Sequence, residues 1–408
     1  MINLTKLWTG TAQPADGLRY GQAGPGGHAH RSANARKPIT VWNLTRTCNL
    51  RCVHCYSNSN AARYEGELTW DEMTSVVEDL AAYEVPSLLF SGGEPMVHPQ
   101  FFDLVELASG AGLKLTISTN GTLITEERAA LLKAADVAYV GISLDGIGSI
   151  HDEFRRKEGA FDAAVRGFRN CHAVGQKTGL RLTLTKHNVE NIERILDFIE
   201  AEGIQRVCFY HLVPAGRGSE LQTLQPGEAR RAIDTLIARV EAWHRAGIDR
   251  ELLTVTQPAD GAYLLLRMEN EGHANLDEAK RLLSWNGGGA NSSGRGIANI
   301  DTQGDVHPDQ FWQGVTLGNV KTMPFSEIWE GANPESSAML DSIRSIGKLS
   351  AGERQMRLHG PCADCRWFSV CGGGFRTRAA FANAGDLWGS DPGCYLSEEE
   401  RRGNLTAA

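Results

Sequence analysis

Short apolar runs alternate with longer helical patterns from about residue 38 to residue 212, and this rhythm most constrains the fold. The runs are rich in β-branched and other apolar residues, while the segments between them have helical periodicity. The predicted strands are Ile39 to Leu44, Ser87 to Phe90, Leu113 to Ser118, Tyr139 to Leu144, Leu180 to Thr185 and Val207 to Leu212. The predicted helices lie near 71–82, 99–109, 125–135, 160–174 and 189–202. Strands that alternate with helices predict βαβ units and a parallel sheet.

Six strand–helix units are too few for a closed eight-stranded barrel. The predicted fold class is therefore α/β, with a partial (β/α)6 TIM barrel as its core. In such barrels the functional side chains come from the carboxyl ends of the strands. The motifs described below all follow predicted strands, as this rule expects.

Four segments are predicted along the chain. Residues 1–36 are rich in glycine and turn residues, and we expect them to be irregular. The partial barrel follows over 37–225, and a helical connection over 226–293. Residues 294–408 contain few long periodic stretches but four cysteines, which predicts a small metal-organised domain.

Composition excludes several classes of protein. The 408 residues carry a formal net charge of -8, which argues against nucleic-acid binding. No stretch approaches the ~20 apolar residues of a membrane span. The first ten residues lack the apolar core of a secretion signal, so we expect a cytoplasmic protein whose thiols stay reduced. The nine cysteines occur in clusters, which favours metal binding over disulfides.

Three cysteines, Cys48, Cys52 and Cys55, follow the first predicted strand with the spacing C-x3-C-x2-C. A closed cluster or structural zinc uses four protein ligands, so three thiolates leave one metal position open. A zinc knuckle is the alternative, but its paired C-x2-C spacing does not fit. The triplet therefore predicts a reactive metal cluster that binds a second molecule at its open position.

The run Ser91-Gly92-Gly93-Glu94-Pro95 follows the second predicted strand. Two glycines allow the backbone to approach a ligand closely, and the Glu94 carboxylate can bind an ammonium group. A tight turn alone would explain this run. Its position beside the cysteine triplet instead favours a binding site.

These two motifs together resemble the radical S-adenosylmethionine (SAM) superfamily. The resemblance implies a [4Fe–4S] cluster held by the three cysteines, with SAM at the open iron and a 5′-deoxyadenosyl radical as the product of its cleavage. It implies that Gly92, Gly93 and Glu94 hold the methionine amine of SAM. It also places His54, between the second and third cysteines, near the adenine.

Three further residues match the superfamily at later strand ends. The resemblance implies contacts of Asn120 with the ribose, of Ser143 with SAM, and of Arg155 with a carboxylate. An ordinary polar strand end or turn accounts for each of them equally well.

The C-terminal cysteines Cys362, Cys365, Cys371 and Cys394 can close one cubane, or one structural zinc as the alternative. Their region resembles the SPASM or twitch-like extension of radical SAM enzymes, which usually has seven cysteines and two auxiliary clusters. Ser292 and Ser293, Asp309 and Phe375 stand where the other three cysteines are expected. The resemblance therefore implies one fully ligated auxiliary [4Fe–4S] cluster that moves electrons, giving two [4Fe–4S] clusters in all.

Histidines supply two catalytic candidates. His211 ends a predicted strand on the expected active face, and His307 lies where the first auxiliary cluster is missing. His28 and His30 are weaker candidates, and most lone histidines have no such role. Cys171 and Cys208 fit no cluster spacing and are expected to be packing residues.

The two ends of the chain narrow the resemblance to one family. Leu-Trp-Thr-Gly-Thr near the start, Leu-Arg-Tyr-Gly-Gln-Ala-Gly after it, and the ending Cys-Ala-Asp-Cys-Arg-Trp-Phe-Ser-Val-Cys-Gly-Gly-Gly-Phe-Arg are similar to the NirJ family of heme d1 biosynthesis. This implies the substrate 12,18-didecarboxysiroheme, removal of propionate side chains toward the oxo groups of heme d1, and flavodoxin or ferredoxin as electron donor. Carboxylates on such a tetrapyrrole call for guanidinium partners, and the candidates are Arg217, Arg295, Arg376 and Arg378.

Three alternatives stay open. A related radical SAM enzyme of the alternative heme pathway would remove acetate or oxidatively decarboxylate propionate. A SPASM peptide maturase would be expected to carry a precursor-binding domain, which the sequence does not show. A non-catalytic iron–sulfur electron carrier would leave Gly92, Gly93 and Glu94 without a role. The sequence does not fix the oligomeric state, for which a monomer is one candidate.

Overall fold

The computed structural model describes residues 1–13, 15–21, 37–286 and 293–403. Its strands form a single mixed sheet. Their bounds are β1 (Ile2–Asn3), β2 (Ile39–Thr45), β3 (Leu88–Gly92), β4 (Leu115–Thr119), β5 (Tyr139–Ser143), β6 (Thr178–Leu184), β7 (Arg206–His211), β8 (Glu251–Val255), β9 (Ile297–Ile300), β10 (Asp305–His307) and β11 (Gly318–Asn319).

Helices connect the strands and cover one face of the sheet. Those of the first half are α1 (Leu4–Thr9), α2 (Asp16–Tyr20), α3 (Trp70–Ala82), α4 (Phe101–Gly110), α5 (Glu126–Ala134), α6 (Ser149–Arg155), α7 (Ala160–Ala173) and α8 (Ile192–Ala201). Those of the second half are α9 (Pro226–Arg245), α10 (Ala259–Glu271), α11 (Leu276–Asn286), α12 (Phe325–Trp329), α13 (Pro334–Ser345), α14 (Ala351–Arg357), α15 (Phe368–Cys371), α16 (Arg376–Ala382) and α17 (Glu398–Arg402). A capping box formed by Thr69 and Glu72 opens α3.

The strand order is β1-β8-β7-β6-β5-β4-β3-β2-β9-β10-β11. Strands β2 to β7 are parallel neighbours, joined by helices, in the order of the sequence. The prediction of a partial (β/α)6 barrel is confirmed. Each of the six predicted strands occurs within a few residues of its expected bounds.

Two elements within and directly after the predicted barrel were not expected. Strand β8 pairs in parallel with β7 and adds a seventh strand to the barrel. It is only five residues long and lies between two long helices. Over so few residues the hydrophobic periodicity does not distinguish a strand from part of a helix. Helix α6 has seven residues and begins without a capping side group, which leaves it without a sequence signature.

The N-terminal residues are ordered where we expected irregular structure. Strand β1 pairs antiparallel with β8, and the side-chain oxygen of Asn3 caps α1 by accepting a hydrogen bond from Lys6 N. The expectation of irregular structure over residues 1–36 is therefore wrong for residues 2–9 and 16–20, which form β1, α1 and α2. It failed because β1 has two residues and gains its partner only from distant β8. Residues 22–36, with His28 and His30, lie outside the described residues.

The C-terminal cysteine-bearing segment continues the barrel sheet. Strand β9 pairs in parallel with β2, and β10 and β11 extend that edge in antiparallel fashion. The predicted boundary at residue 294 therefore lies next to a strand that is hydrogen-bonded to the first barrel strand. The four-segment division itself remains a prediction.

The two faces of the barrel strands differ in polarity. In β6 the buried Leu180, Leu182 and Leu184 pack into the main hydrophobic core, whereas Arg181 and Thr183 point to the opposite face and are only half-buried. We call that opposite, concave face the barrel lumen. Within the described ranges, no helix has both the length and the apolarity needed to cross a membrane.

Candidate functional site

The cysteine triplet lies in the loop that leaves β2, at the carboxyl edge of the barrel. Cys48 and Cys52 are buried and Cys55 is half-buried. Each sulfur accepts a hydrogen bond. The donors are Leu50 N to Cys48 Sγ, Arg155 Nη1 to Cys52 Sγ and Ser59 N to Cys55 Sγ, each at 3.4 Å. Donors around each sulfur suit thiolate ligands of an iron–sulfur cluster.

The protein alone does not stabilise the thiolate forms of the cysteine triplet. Burial, followed by the nearby Glu94, raises the pKa of Cys48 to about 12. Burial also raises the pKa of Cys52, although Arg155 opposes this. Thiolates become favourable here once a metal supplies cationic partners. The residues present therefore fit an iron–sulfur cluster.

Gly92 and Gly93 are required by the backbone around them. A Cβ on Gly92, whose φ is +122°, would lie 2.5 Å from Thr45 O, and one on Gly93 would lie 2.3 Å from Thr47 O. Gly93 N donates to Thr45 O at 2.7 Å. The close approach that we expected toward a ligand is thus made to the start of the cysteine loop. These glycines hold the end of β3 against the cluster loop.

Glu94 is fully buried and accepts hydrogen bonds from Thr119 Oγ1 and Asn120 N at 2.8 Å and from Met96 N at 3.2 Å. Burial outweighs these bonds and raises the pKa of the carboxyl group. Among the described residues, no basic side chain bonds to it. An ammonium group would supply the cation that this carboxylate lacks, which fits the role predicted from the sequence.

The other predicted SAM residues surround the same edge. Asn120 Nδ2 donates to Asn49 Oδ1 in the cysteine loop at 2.8 Å, and Ser143 ends β5 facing the lumen. The ring of His54 packs against Phe154 at a tilt of 34°, with ring centroids 4.5 Å apart. Its Nδ1 is buried without a partner, and burial lowers the pKa of the ring to about 4. His54 is thus a neutral ring beside the triplet.

Arg155 is already engaged by the protein. It forms a buried ion pair with Asp145, and it donates to Cys52 Sγ. Burial opposes ionisation of Asp145, but the Arg155 guanidinium outweighs it and lowers the pKa of that carboxyl group. The expected carboxylate partner of Arg155 is therefore provided by the protein itself. Asp145 lies two residues after Ser143, but the sequence did not indicate that it forms an ion pair with Arg155.

The C-terminal cysteines lie around the short helix α15 in the sequence: Cys362 and Cys365 precede it, Cys371 is its last residue, and Cys394 lies in the loop after α16. Burial first, and then the other three cysteines, raises the pKa of Cys371 well above its usual value. All nine cysteines lie in the described residues, and each is a free thiol. No three described His, Cys, Asp or Glu side chains are arranged around a single ion. A cubane binds each thiolate at a different iron, so cluster ligation by both sets stays a prediction.

The positions of the missing cysteines are filled by other contacts. Asp309 is buried and accepts hydrogen bonds from Ser293 Oγ at 2.5 Å and Thr377 Oγ1 at 2.6 Å. Its other oxygen accepts from the backbone of Phe311 and Trp312. A carboxylate with four donors is structurally satisfied. Ser292 lies outside the described residues.

An aromatic cluster connects the two cysteine sets, and sequence reasoning missed it. Phe375 packs edge-on against Phe311 with centroids 6.1 Å apart, and Phe311 packs against Tyr56 at 5.3 Å. Val213 and Ala215 complete the cluster. Tyr56 directly follows Cys55, while Phe375 occupies a position where a cysteine was expected. The phenylalanine in place of this cysteine was the sequence feature that could have indicated the aromatic cluster.

The two histidine candidates are placed differently from expectation. His211 shares a face of β7 with Val207 and Phe209, away from the lumen, and its Nε2 lies 3.1 Å from Asp260 Oδ2. It lines a cavity of about 80 Å³ together with Cys394. His307 is buried, and its Nδ1 lies 2.8 Å from Val315 O. Catalysis by either remains a prediction.

Three of the four arginines proposed as carboxylate partners, all except Arg295, form hydrogen bonds or ion pairs with other protein groups among the described residues. Arg217 donates to Cys52 O and Ser59 O at 2.8 Å each, which braces the cysteine loop. Arg378 pairs with Asp391, and Arg376, the first residue of α16, donates to backbone carbonyls of Leu387 and Gly389 in the loop after that helix. These contacts support both cysteine sets.

Comparison with known protein families agrees with the geometry. The Radical SAM superfamily model matches residues 42–199, and the model of the SPASM iron–sulfur cluster-binding domain matches residues 292–366. The solved Streptococcus suis SuiB bound to SAM superposes with a TM-score of 0.66 at 17% identity, covering 88% of this chain and 77% of SuiB. The structure of anSMEcpe with bound AdoMet gives 0.64 at 20% identity, covering 84% and 90%. Both show the same fold.

These matches define a radical SAM enzyme with a SPASM domain, and its cofactors are SAM and iron–sulfur clusters. The Fe-coproporphyrin III synthase of Methanosarcina barkeri is 44% identical over 98% of both proteins. The pre-heme d1 synthase of Dinoroseobacter shibae is 41% identical over 89% of this chain and 87% of its own. The protein therefore belongs to the radical SAM family of heme-synthesis enzymes.

Proposed function

We propose that this enzyme removes carboxylate-bearing side chains from an iron tetrapyrrole, 12,18-didecarboxysiroheme. The observation that carries the proposal is the cluster of Tyr56, Phe311 and Phe375 between the cysteine sets, in a protein whose relatives are heme-synthesis enzymes. Aromatic side chains suit a flat macrocycle, because ring faces bury a large apolar area. The triplet and Glu94 lie at the same edge of the barrel.

The chemistry divides between the bound groups and the protein. When bound, SAM and the reduced cluster supply a carbon-centred radical strong enough to attack an unactivated C–H bond of the substrate. Glu94 is proposed to bind the amine of SAM, Asn120 and Ser143 its ribose and adjoining atoms, and His54 to lie beside its adenine. Cys362, Cys365, Cys371 and Cys394 are proposed to bind the auxiliary cluster, which when bound would supply an electron acceptor for the loss of the side chain.

Two products are candidates. Removal of propionate toward heme d1 is what the two ends of the sequence predict, and a pre-heme d1 synthase is among the relatives. Formation of Fe-coproporphyrin III, the acetate-removing alternative, is favoured by the higher identity and by a match over 98% of both proteins. We give this second product the greater weight.

Product identification tests the proposal. The anaerobically reconstituted protein is incubated with 12,18-didecarboxysiroheme, SAM and dithionite, and the tetrapyrrole is analysed by mass spectrometry against Fe-coproporphyrin III and pre-heme d1 standards. Loss of side chains together with 5′-deoxyadenosine supports the proposal. A variant with Cys48, Cys52 and Cys55 replaced by alanine is the control and should form neither. Cleavage of SAM that leaves the tetrapyrrole intact would contradict it.

A further inference from the structure

Arg181 projects from the middle of β6 into the barrel lumen. Its neighbours in register are Ser143 on β5 and Cys208 on β7. The guanidinium crosses Gly141, where an added Cβ would lie 2.6 Å from Arg181 Nε. Its Cζ lies 5.8 Å from the centre of the Tyr210 ring. The absence of a side chain at Gly141 thus makes the space in which this cation lies.

This guanidinium has no anionic partner among the described residues. Its Nε is buried without a hydrogen-bond acceptor, and none of the ion pairs there includes it. The phenols of Tyr210 and Tyr139 interact with it electrostatically, and burial raises the pKa of both, so they are neutral. Arg206, the other guanidinium in this region, is paired with Glu251. The positive charge of Arg181 is therefore uncompensated.

A cation held away from water without a partner is costly, and proteins pair such groups or use them to bind ligands. Here the lumen is also accessible. Ser118, Ser143 and Thr183 face it and are half-buried rather than buried. A negatively charged group can thus reach Arg181 from the open side of the barrel.

We propose that Arg181 binds a carboxylate of the tetrapyrrole substrate inside the barrel lumen, an inference that rests on the proposed function. The substrate carries several carboxylates, and Arg155, Arg217 and Arg378 are already bound to other protein groups. A planar guanidinium binds a carboxylate through two parallel hydrogen bonds. Arg181 would thereby fix which side chain faces the radical.

The depth of the Arg181 guanidinium in the lumen favours the substrate over SAM. The guanidinium lies over Gly141, the middle residue of β5, and its charged or aromatic neighbours Tyr210, Tyr139 and Arg206 belong to the strands themselves. The cysteine loop and Glu94 lie beyond the carboxyl ends of the strands. The methionine carboxylate of SAM is the other possible occupant, and separate binding measurements distinguish the two.

The test compares four variants of the reconstituted protein. Arg181→Gln removes the charge, and Arg181→Lys keeps it without the two-pronged geometry. Gly141→Ala leaves Arg181 in place but pushes its guanidinium aside, since Arg181 supplies the three atoms nearest the new Cβ. Arg169→Gln, at an exposed arginine on α7, is the matched control. Absorbance titration gives the Kd for 12,18-didecarboxysiroheme, and the Kd for SAM and the 5′-deoxyadenosine formed without tetrapyrrole are measured separately.

We expect Arg181→Gln and Gly141→Ala to weaken tetrapyrrole binding by about 10- to 100-fold, the range for a lost charge-assisted hydrogen bond. Arg181→Lys should lose less, and Arg169→Gln should match the wild type. The Kd for SAM and its cleavage should not change in any variant. If Arg181→Gln is recovered without iron, Gly141→Ala decides the result, because it keeps the charge.

Two results would overturn the inference. One is tetrapyrrole affinity at the wild-type level in Arg181→Gln or Gly141→Ala. The other is a loss confined to SAM binding, which would assign the carboxylate to SAM. Failure of the wild type itself to bind the tetrapyrrole is a different outcome, since it rejects the proposed function.

Discussion

At the scale of single residues, the site is built from polar groups whose charges are not balanced by other residues of the protein. Glu94 is a buried carboxylate without a basic partner among the described residues, and the triplet thiols Cys48 and Cys52 have pKa values raised chiefly by burial. Arg155 and Asp145, by contrast, balance each other. An iron–sulfur cluster and the ammonium group of SAM would supply the positive charges that these unbalanced groups lack. Burial and pairing, which decide between these cases, cannot be deduced from residue type.

Iron content tests the two cysteine sets. The reconstituted wild type should hold about eight irons, as two cubanes require, and the alanine variant of Cys48, Cys52 and Cys55 about four. The variant should also lose SAM cleavage. Cys171→Ala, at a buried cysteine on α7 outside both sets, is the control and should keep the wild-type iron content. Iron and zinc are measured by elemental analysis, and about four irons with zinc in the wild type would refute the auxiliary cluster.

At the scale of elements, the carboxyl edge of the sheet is assembled by contacts between successive loops. The end of β3 lies against the start of the cysteine loop because Gly92 and Gly93 have no side chain. The backbone of Asn120, after β4, then donates to Glu94. Because the strands are parallel, the loops after β2, β3 and β4 all lie at one edge of the sheet. Motifs that follow successive strands in the sequence are therefore neighbours in the structure.

Gly93→Ala tests this assembly. Its Cβ would lie 2.3 Å from the carbonyl oxygen of Thr47, so the loop must shift. We expect the free energy of unfolding to fall by about 1–3 kcal/mol, the usual cost of overpacking, and cluster retention to fall with it. Gly110→Ala, at the open end of α4, should change little. Thermal unfolding and iron analysis measure both effects, and equal results for the two variants would contradict this account.

At the scale of the whole molecule, one sheet joins the N-terminal strand and the C-terminal strands to the barrel. Strand β1 closes one edge against β8, and β9 to β11 extend the other from β2. Glu251 on β8 accepts from Asn3 and pairs with Arg19 and Arg206 in a buried group. The N-terminal residues thus support the barrel through a residue almost 250 positions away.

Glu251→Gln should destabilise the protein strongly. It removes the carboxylate that the buried Arg19 and the largely buried Arg206 share, and leaves Arg19 only its longer 3.4 Å pair with Asp16. Breaking a buried ion pair costs about 3–5 kcal/mol. Glu398→Gln, which breaks the exposed pair with Arg402, should have little effect. Chemical denaturation gives both free energies. A loss no larger in Glu251→Gln than in Glu398→Gln would show that the N-terminal residues do not anchor the barrel.

The sequence by itself determined the barrel class and the two cysteine sets, which follow from the strand–helix period and the cysteine spacings, both local properties of the sequence. The reaction class came from the resemblance of the cysteine and glycine motifs to the radical SAM superfamily. Only the tertiary structure decided that Arg155 is already paired, that His211 faces away from the lumen, that Phe375 joins an aromatic cluster, and that Arg181 is unpaired among the described residues. Each of these depends on contacts between residues far apart in sequence. Strand β8 and the pairing of β1 with β8 were not predicted for the same reason, since these short strands are stabilised by partners far away in the sequence.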